Sequence, residues 1–119
     1  MTIREVSEKY DISADTIRYY ERVGLIPHVP RKPNGIRDFD QTSCDWLSFI
    51  KCMRAAGVQI EALRKFVALK QQGGNEEACR EILLEQRQRI KKQIEESNLT
   101  LERLEYKISH FEEIIKNRK

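Results

Sequence analysis

Residues 13–37 read SADTIRYYERVGLIPHVPRKPNGIR, and this stretch decides the fold. Ser13 suits a helix N-cap, because its hydroxyl can accept from the unpaired N–H groups of a first turn. Residues 14–23 hold neither glycine nor proline and predict a short helix, Ala14 to Val23. Gly24 can take the positive φ that closes a helix, and Pro27 and Pro30 keep it from resuming. Asn34-Gly35 predicts a tight two-residue hairpin turn, since both residues tolerate left-handed backbone. Arg18, Arg22, Arg31, Lys32 and Arg37 load the unit with positive charge, and Tyr19, Tyr20 and Phe39 lie on or beside it. A basic helix next to a basic hairpin suits duplex DNA, the helix in the major groove and the hairpin on the adjacent backbone.

Working outward from this unit, Ile3, Val6 and Tyr10 recur at helical spacing and predict a first helix, Ile3 to Tyr10. Asp11-Ile12-Ser13 is then the tight turn of a helix-turn-helix whose second helix does the reading. On that helix Ile17 and Tyr20 share a buried face with Leu25, leaving Thr16, Arg18, Tyr19 and Arg22 outward. A plain helical hairpin with a solvated basic face would carry the same residues. Residues 27–40 form the hairpin, or wing, with Ile36 to Phe39 as its return strand. Asp40 caps a third helix, Gln41 to Ala56, whose apolar stripe Trp46, Phe49, Ile50 and Met53 reads as core. Gly57 stops it, and Gln59 opens a fourth helix, Ile60 to Gln72, lined by Ile60, Leu63, Phe66, Val67 and Leu69. Gly73-Gly74-Asn75 is the clearest boundary, so the division expected is a DNA-binding domain at 1–72, a hinge at 73–75 and a long helix at 76–119.

Residues 76–119 contain no glycine or proline. Positions 83, 87, 90, 94, 97, 101, 104, 108, 111 and 115 alternate by four and three, and eight of the ten are apolar, with Arg87 and Ser97 the exceptions. That is a coiled-coil seam. A helix of this length runs roughly 60 Å at about 1.5 Å per residue. A domain of residues 1–72 cannot cover it, so a second copy of the chain is the plain partner. The pattern fits an antiparallel pair as well as a parallel one.

Composition bounds the rest. The 119 residues are 34% charged and 39% hydrophobic, with a net charge of +3. Residues 1–72 hold 12 Lys/Arg against 9 Asp/Glu, and residues 73–119 hold 10 of each, so the excess sits with the DNA-reading half. No apolar run approaches the roughly 20 residues of a membrane span, and no signal-peptide core follows Met1. A cytoplasmic protein without membrane contact is expected. Cys44, Cys52 and Cys79 form no CxxC pair, which fits free thiols rather than a disulfide scaffold or zinc ribbon. His28 and His110 lie in separate elements, no glycine-rich phosphate loop is present, and the acidic residues read as solvent-facing. No catalytic group can be assembled, so no enzyme, cofactor or metal is expected. In a symmetric dimer each reading helix would enter a major groove, with half-site spacing set by the coiled coil. Ser13, Thr16, Arg18, Tyr19, Arg31, Lys32, Arg37 and Arg54 are the candidate DNA-binding residues. The arginines and Lys32 suit phosphates; Thr16 and Tyr19 suit base or sugar edges.

The segments DTIRYYERVGLIP, RKPNGIRDFD and FIKCMRAAGVQIEAL together resemble the MerR family of bacterial transcription regulators, from Met1 to about Gln72. The resemblance implies a mainly α winged helix-turn-helix domain, followed by a long dimerisation helix that pairs as an antiparallel coiled coil. It also implies a promoter with an overlong spacer, which the activated dimer kinks and untwists so that RNA polymerase engages both its elements, a deformation offset by protein contacts. By that resemblance Thr16, Arg18, Tyr19, Arg37 and Arg54 fall at DNA-contacting positions. Ile36 departs from it, standing where many members carry an aromatic wing tip.

The resemblance also frames what is sensed. Metal-sensing relatives pair a cysteine early in the long helix with a cysteine loop at the partner's far end. Cys79 could be the first, but residues 80–119 hold no cysteine, and a lone thiolate with His110 is a poor soft-metal site. Drug-sensing relatives carry a C-terminal ligand domain, which is not expected after Lys119. Cys52, flanked in Lys51-Cys52-Met53-Arg54 by cations that favour thiolate, is the remaining candidate. FIKCMRAAG is similar to the thiol-dependent NmlR-like and AdhR-like subgroup, which implies a response to aldehydes, other electrophiles or nitrosative stress through Cys52. Cys52 could equally be a small packed residue, Cys44 reads as structural, and Cys79 could be a second redox thiol. A metal-responsive regulator and a non-enzymatic coiled-coil adaptor that binds an acidic protein remain the alternatives.

Overall fold

Thr2 and Glu5 open the first helix, α1 (Ile3–Tyr10), by a reciprocal pair of bonds: the Glu5 N–H donates to the Thr2 hydroxyl, and the Thr2 N–H donates to the Glu5 carboxylate. In the computed structural model, which describes residues 1–118, α1 is followed by α2 (Ala14–Arg22), α3 (Gln41–Ala55), α4 (Ile60–Gln72) and α5 (Glu76–Lys116). The molecule is mainly α, as its sequence implies. Helix ends shift slightly from expectation: Val23 caps α2, Ala56 caps α3, and α5 closes at Lys116, short of the expected Lys119, which lies outside the described residues. Asp11 turns the chain between α1 and α2 at φ 53°, a left-handed conformation that a short polar side chain tolerates. Ser13 caps α2 and Asp40 caps α3, each accepting from the N–H three residues on.

Val6, Ile17, Leu25, Ile26, Leu47, Ile50 and Leu63 are the largest fully buried side chains. They come from α1, α2, the connection after it, α3 and α4, so the wing and reading helix stand on one small core. The face of α3 turned to that core keeps Ile50 of the expected stripe but not the rest of it. Cys44, Leu47 and Ile50 are buried, whereas Trp46, Phe49 and Met53 are half-buried. Trp46 and Phe49 instead join Phe66 of α4, with Phe49 and Phe66 stacked at 5.3 Å between ring centres and the Lys70 ammonium over the Phe66 ring. Trp46 and Phe49 form the rim because aliphatic and small residues fill the contact with α1 better.

The wing is shorter than a two-stranded hairpin. Arg31 and Arg37 form one antiparallel bridge, flanked by bonds from the Lys32 N–H to the Ile36 carbonyl and from the Asp38 N–H to the Pro30 carbonyl. Its turn is also not the expected two-residue one. The Gly35 N–H donates to the Lys32 carbonyl, Gly35 alone takes positive φ (86°), and Asn34 stays in ordinary backbone while its side chain accepts from the Ile36 N–H. Pro33 explains the change: its fixed φ suits the second residue of an ordinary turn, which a left-handed glycine then closes as a three-residue loop.

The chain divides into two compact units, Met1–Gln86 and Arg87–Lys119. Within the first, Gln59 and Gln86 exchange hydrogen bonds, the Gln59 N–H donating to Gln86 Oε1 and Gln86 Nε2 donating to Gln59 Oε1. Gln86 is thereby satisfied although buried, and ties the opening of α4 to α5. Beyond it the seam residues of α5, Ile94, Leu101, Leu104, Ile108, Phe111 and Ile115, are all exposed in the single chain. Among the described residues no helix is long and apolar enough to cross a membrane.

Candidate nucleic-acid interface

Ser13 and Thr16 begin the reading helix as a bonded pair. The Ser13 hydroxyl accepts from the Thr16 N–H at 3.1 Å and donates to the Thr16 hydroxyl at 2.8 Å. Ser13 is therefore committed to the cap, and the Thr16 hydroxyl is fixed beside it at the start of α2. Helix N-termini carry partial positive charge that favours phosphate, so this end of α2 suits a backbone contact. Arg18 reaches back to Asp15 at 3.0 Å in an exposed pair, which water weakens. Tyr19 is exposed with the Arg22 guanidinium 5.5 Å from its ring centre. Thr16, Arg18, Tyr19 and Arg22 thus line the outer side of α2.

Glu21 is the residue that sequence reasoning missed. It was grouped with the solvent-facing acids, yet its side chain is only 6% exposed. One oxygen accepts from Arg37 Nε at 2.7 Å and lies 4.0 Å from Arg31; the other accepts from the Val29 N–H at 2.7 Å and lies 3.8 Å from His28 Nδ1. Burial pushes this carboxyl up, but the Arg37 bond, the Val29 N–H and the charges of Arg37 and Arg31 outweigh it and hold it below the ordinary value. A signal for this was present: Glu21 follows Ile17 by four residues, the spacing that places both on one helix face. A carboxylate on a buried face demands a cation, and the wing supplies two.

Arg31 also donates to the Gly35 carbonyl at 2.9 Å, bracing the wing tip from within. Of the wing cations, Arg31 and Arg37 are thus anchored, whereas Lys32 and the apolar Ile36 are exposed at the turn. Arg54, at the far end of α3, donates to the Val58 carbonyl at 2.7 Å and is exposed. The structure brings Arg31, Lys32 and Arg37 together on the wing and Ser13, Thr16, Arg18 and Tyr19 together on α2.

The three thiols separate cleanly. Cys44 and Cys79 are buried and Cys52 is exposed on α3. The cations flanking Cys52 in sequence are held by backbone: Lys51 donates to the Tyr10 carbonyl, closing the end of α1, and Arg54 is engaged with Val58.

Residues 1–70 match the family described as MerR HTH family regulatory protein, and residues 44–106 match the family described as MerR, DNA binding. The HTH-type transcriptional regulator AdhR of Bacillus subtilis (strain 168) is 50% identical over 91 residues, which cover 76% of this chain and 65% of that protein. This chain therefore spans less than two thirds of that relative's length. A MerR family transcriptional regulator from Listeria monocytogenes aligns with a TM-score of 0.84 at 43% identity, over 94% of this chain and 86% of that one. HiNmlR, a MerR family regulator lacking the sensor domain and solved bound to promoter DNA, aligns with a TM-score of 0.78 at 30% identity, over 98% of this chain and 93% of that one.

Proposed function

The chain belongs to the MerR family of helix-turn-helix regulatory proteins, and from that premise we propose that it binds a promoter spacer as a homodimer and activates transcription by distorting the DNA when an electrophile modifies Cys52. A transcription regulator rather than an enzyme is what the matched families and relatives are. Residues 1–72 act as the reading domain, residues 73–75 as the hinge and residues 76–119 as the dimerisation helix. The exposed apolar seam of α5 supports the dimer, since a second copy laid antiparallel covers it and sets two reading helices apart at a fixed spacing. Ser13, Thr16, Arg18 and Tyr19 of α2, Arg31, Lys32 and Arg37 of the wing, and Arg54 hold the DNA. RNA polymerase is engaged only through the altered DNA.

One observation carries the sensing half: of three thiols, Cys52 alone is open to solvent, and it lies on a helix of the DNA-reading unit. The Cys52 thiolate adds to an aldehyde carbonyl, forming a carbon–sulfur bond while the carbonyl oxygen takes up a proton. The adduct enlarges an exposed side chain on α3 and shifts α3 against α5, changing the angle between the two reading heads. An aldehyde or nitrosative signal is what the resemblance of FIKCMRAAG to the AdhR-like and NmlR-like subgroup implies, and regulators of those names are among this chain's relatives. In-vitro transcription from the protein's own upstream promoter, with and without a small aldehyde, tests this. Aldehyde raises output with wild type and leaves Cys52→Ser flat while that variant still binds DNA. Equal responses from both proteins refute the thiol reading.

A further inference from the structure

A cation meant for a phosphate is normally left to water until DNA arrives. In this wing the opposite holds. Arg37 is largely withdrawn from solvent, and its Nε is bonded to a carboxylate that is itself almost fully buried. The same carboxylate accepts the Val29 N–H from the connection between α2 and the wing, and stands near Arg31, which braces the wing tip through the Gly35 carbonyl. One side chain of the reading helix therefore touches the connection before the wing and both residues of the wing's only bridge among the described residues. Apolar core contacts permit sliding, whereas a carboxylate shared by an N–H and a guanidinium fixes direction.

We propose that Glu21 is the positioning residue of the DNA interface, holding Arg37 by its Nε so that the guanidinium's two Nη groups stay turned to a phosphate and the wing stays in register with α2. This rests on the reading that the unit binds DNA. Two forces oppose one another in the proposal, and their balance is measurable. As a charge, Glu21 repels phosphate, and removing it raises the local positive charge by one. As an anchor, Glu21 spares DNA the ordering of a long flexible arginine at the moment of binding, an entropy cost that is among the largest of any side chain. The buried geometry makes anchoring the larger effect.

The test is fluorescence anisotropy on a labelled duplex of the upstream promoter across a salt series, using the full chain as wild type, Glu21→Gln, Arg37→Gln and the double variant. Glu21→Gln weakens binding roughly tenfold, the scale of one lost charge-assisted contact, although it makes the protein more positive. The double variant binds no worse than Arg37→Gln, because Glu21 acts through Arg37. Binding by Glu21→Gln that equals or exceeds wild type, with a salt slope steeper by about 0.9, overturns the proposal, as do fully additive losses in the double variant. Nitrogen-15 spectra of wild type supply a readout that needs no variant to fold. The Arg37 Nε–H gives a protected signal in the free protein and keeps it when DNA binds. Free exchange of that proton, or its release on binding DNA, overturns the proposal. Absence of salt-dependent affinity in wild type itself removes the DNA reading, and the proposal with it, and is recognised because wild type then fails alongside the variants.

Discussion

At the scale of single residues, accessibility and charge give sharp expectations. Alkylation of the native protein with iodoacetamide, followed by peptide mass spectrometry, labels Cys52 quickly and Cys44 and Cys79 only after denaturation, since those two are buried. Early labelling of Cys79 would move attention to the turn before α5. Glu21 gives the pH dependence. Its folded carboxyl is held below the ordinary value, so its contribution to stability is complete above about pH 4.3 and disappears as pH falls through the lowered value. The urea midpoint of wild type minus that of Glu21→Gln is therefore constant near neutrality and closes on acidification. Sequence alone reveals the cations of this site but not their anchor. Arg31, Lys32 and Arg37 announce themselves by clustering, whereas Glu21 looks like any helix acid until Ile17, four residues before it, is known to face the core.

At the scale of elements, the sequence pattern gives the first four helices to within a residue or two and the fifth to within three at its end, because caps, glycines and prolines punctuate the chain strongly: Ser13 and Asp40 open helices, and Gly24, Gly57 and Gly73 follow their ends. Which face of α3 is buried is less legible. Large aromatics draw the eye to Trp46 and Phe49, but Leu47 has no exposed surface and Trp46 retains some. The partner decides, and α1 is not a near neighbour of α3 in the sequence. Leu47→Ala costs about 2–5 kcal/mol by urea denaturation, while Ser48→Ala on the exposed side stays within about 0.5 kcal/mol. A small effect at Leu47 would mean that the core can collapse around the missing atoms. The wing turn was misread for a reason equally local: Asn34-Gly35 matches a two-residue turn, and Pro33 just before it imposes a longer one.

For the whole molecule, the long helix carries most of the large apolar side chains left exposed among the described residues. Phe111 is 63% exposed and Leu104 55%, and a contiguous apolar stripe of this kind marks an interaction surface. Leu104→Glu places a charge in the seam, and sedimentation equilibrium should show a single chain where wild type shows two. DNA affinity should fall with it by roughly 10²- to 10⁴-fold, because two linked reading heads lose their shared effective concentration. A variant that stays dimeric would place the seam elsewhere on α5. The four-and-three alternation from 83 to 115 made this surface legible at once. The bond between Gln59 and Gln86 was not, because two glutamines far apart in a polar stretch carry no pattern, and only folding brings their amides face to face.

The wing turn also bears on how the protein ages. In an Asn–Gly step the following backbone nitrogen can attack the side-chain amide, expelling ammonia to give a cyclic imide that water opens to aspartate or its isomer. Here that nitrogen's proton is held by the Lys32 carbonyl, and the Asn34 side-chain oxygen is held by the Ile36 N–H. The turn thus keeps nucleophile and target each occupied, and the wing's lifetime is set by how often it opens. Each event leaves a permanent negative charge beside Lys32 and Arg31, on the surface meant for phosphate. An old preparation should lose its hold on DNA while its helices remain intact, and peptide mapping should find aspartate at position 34 in the fraction that no longer binds.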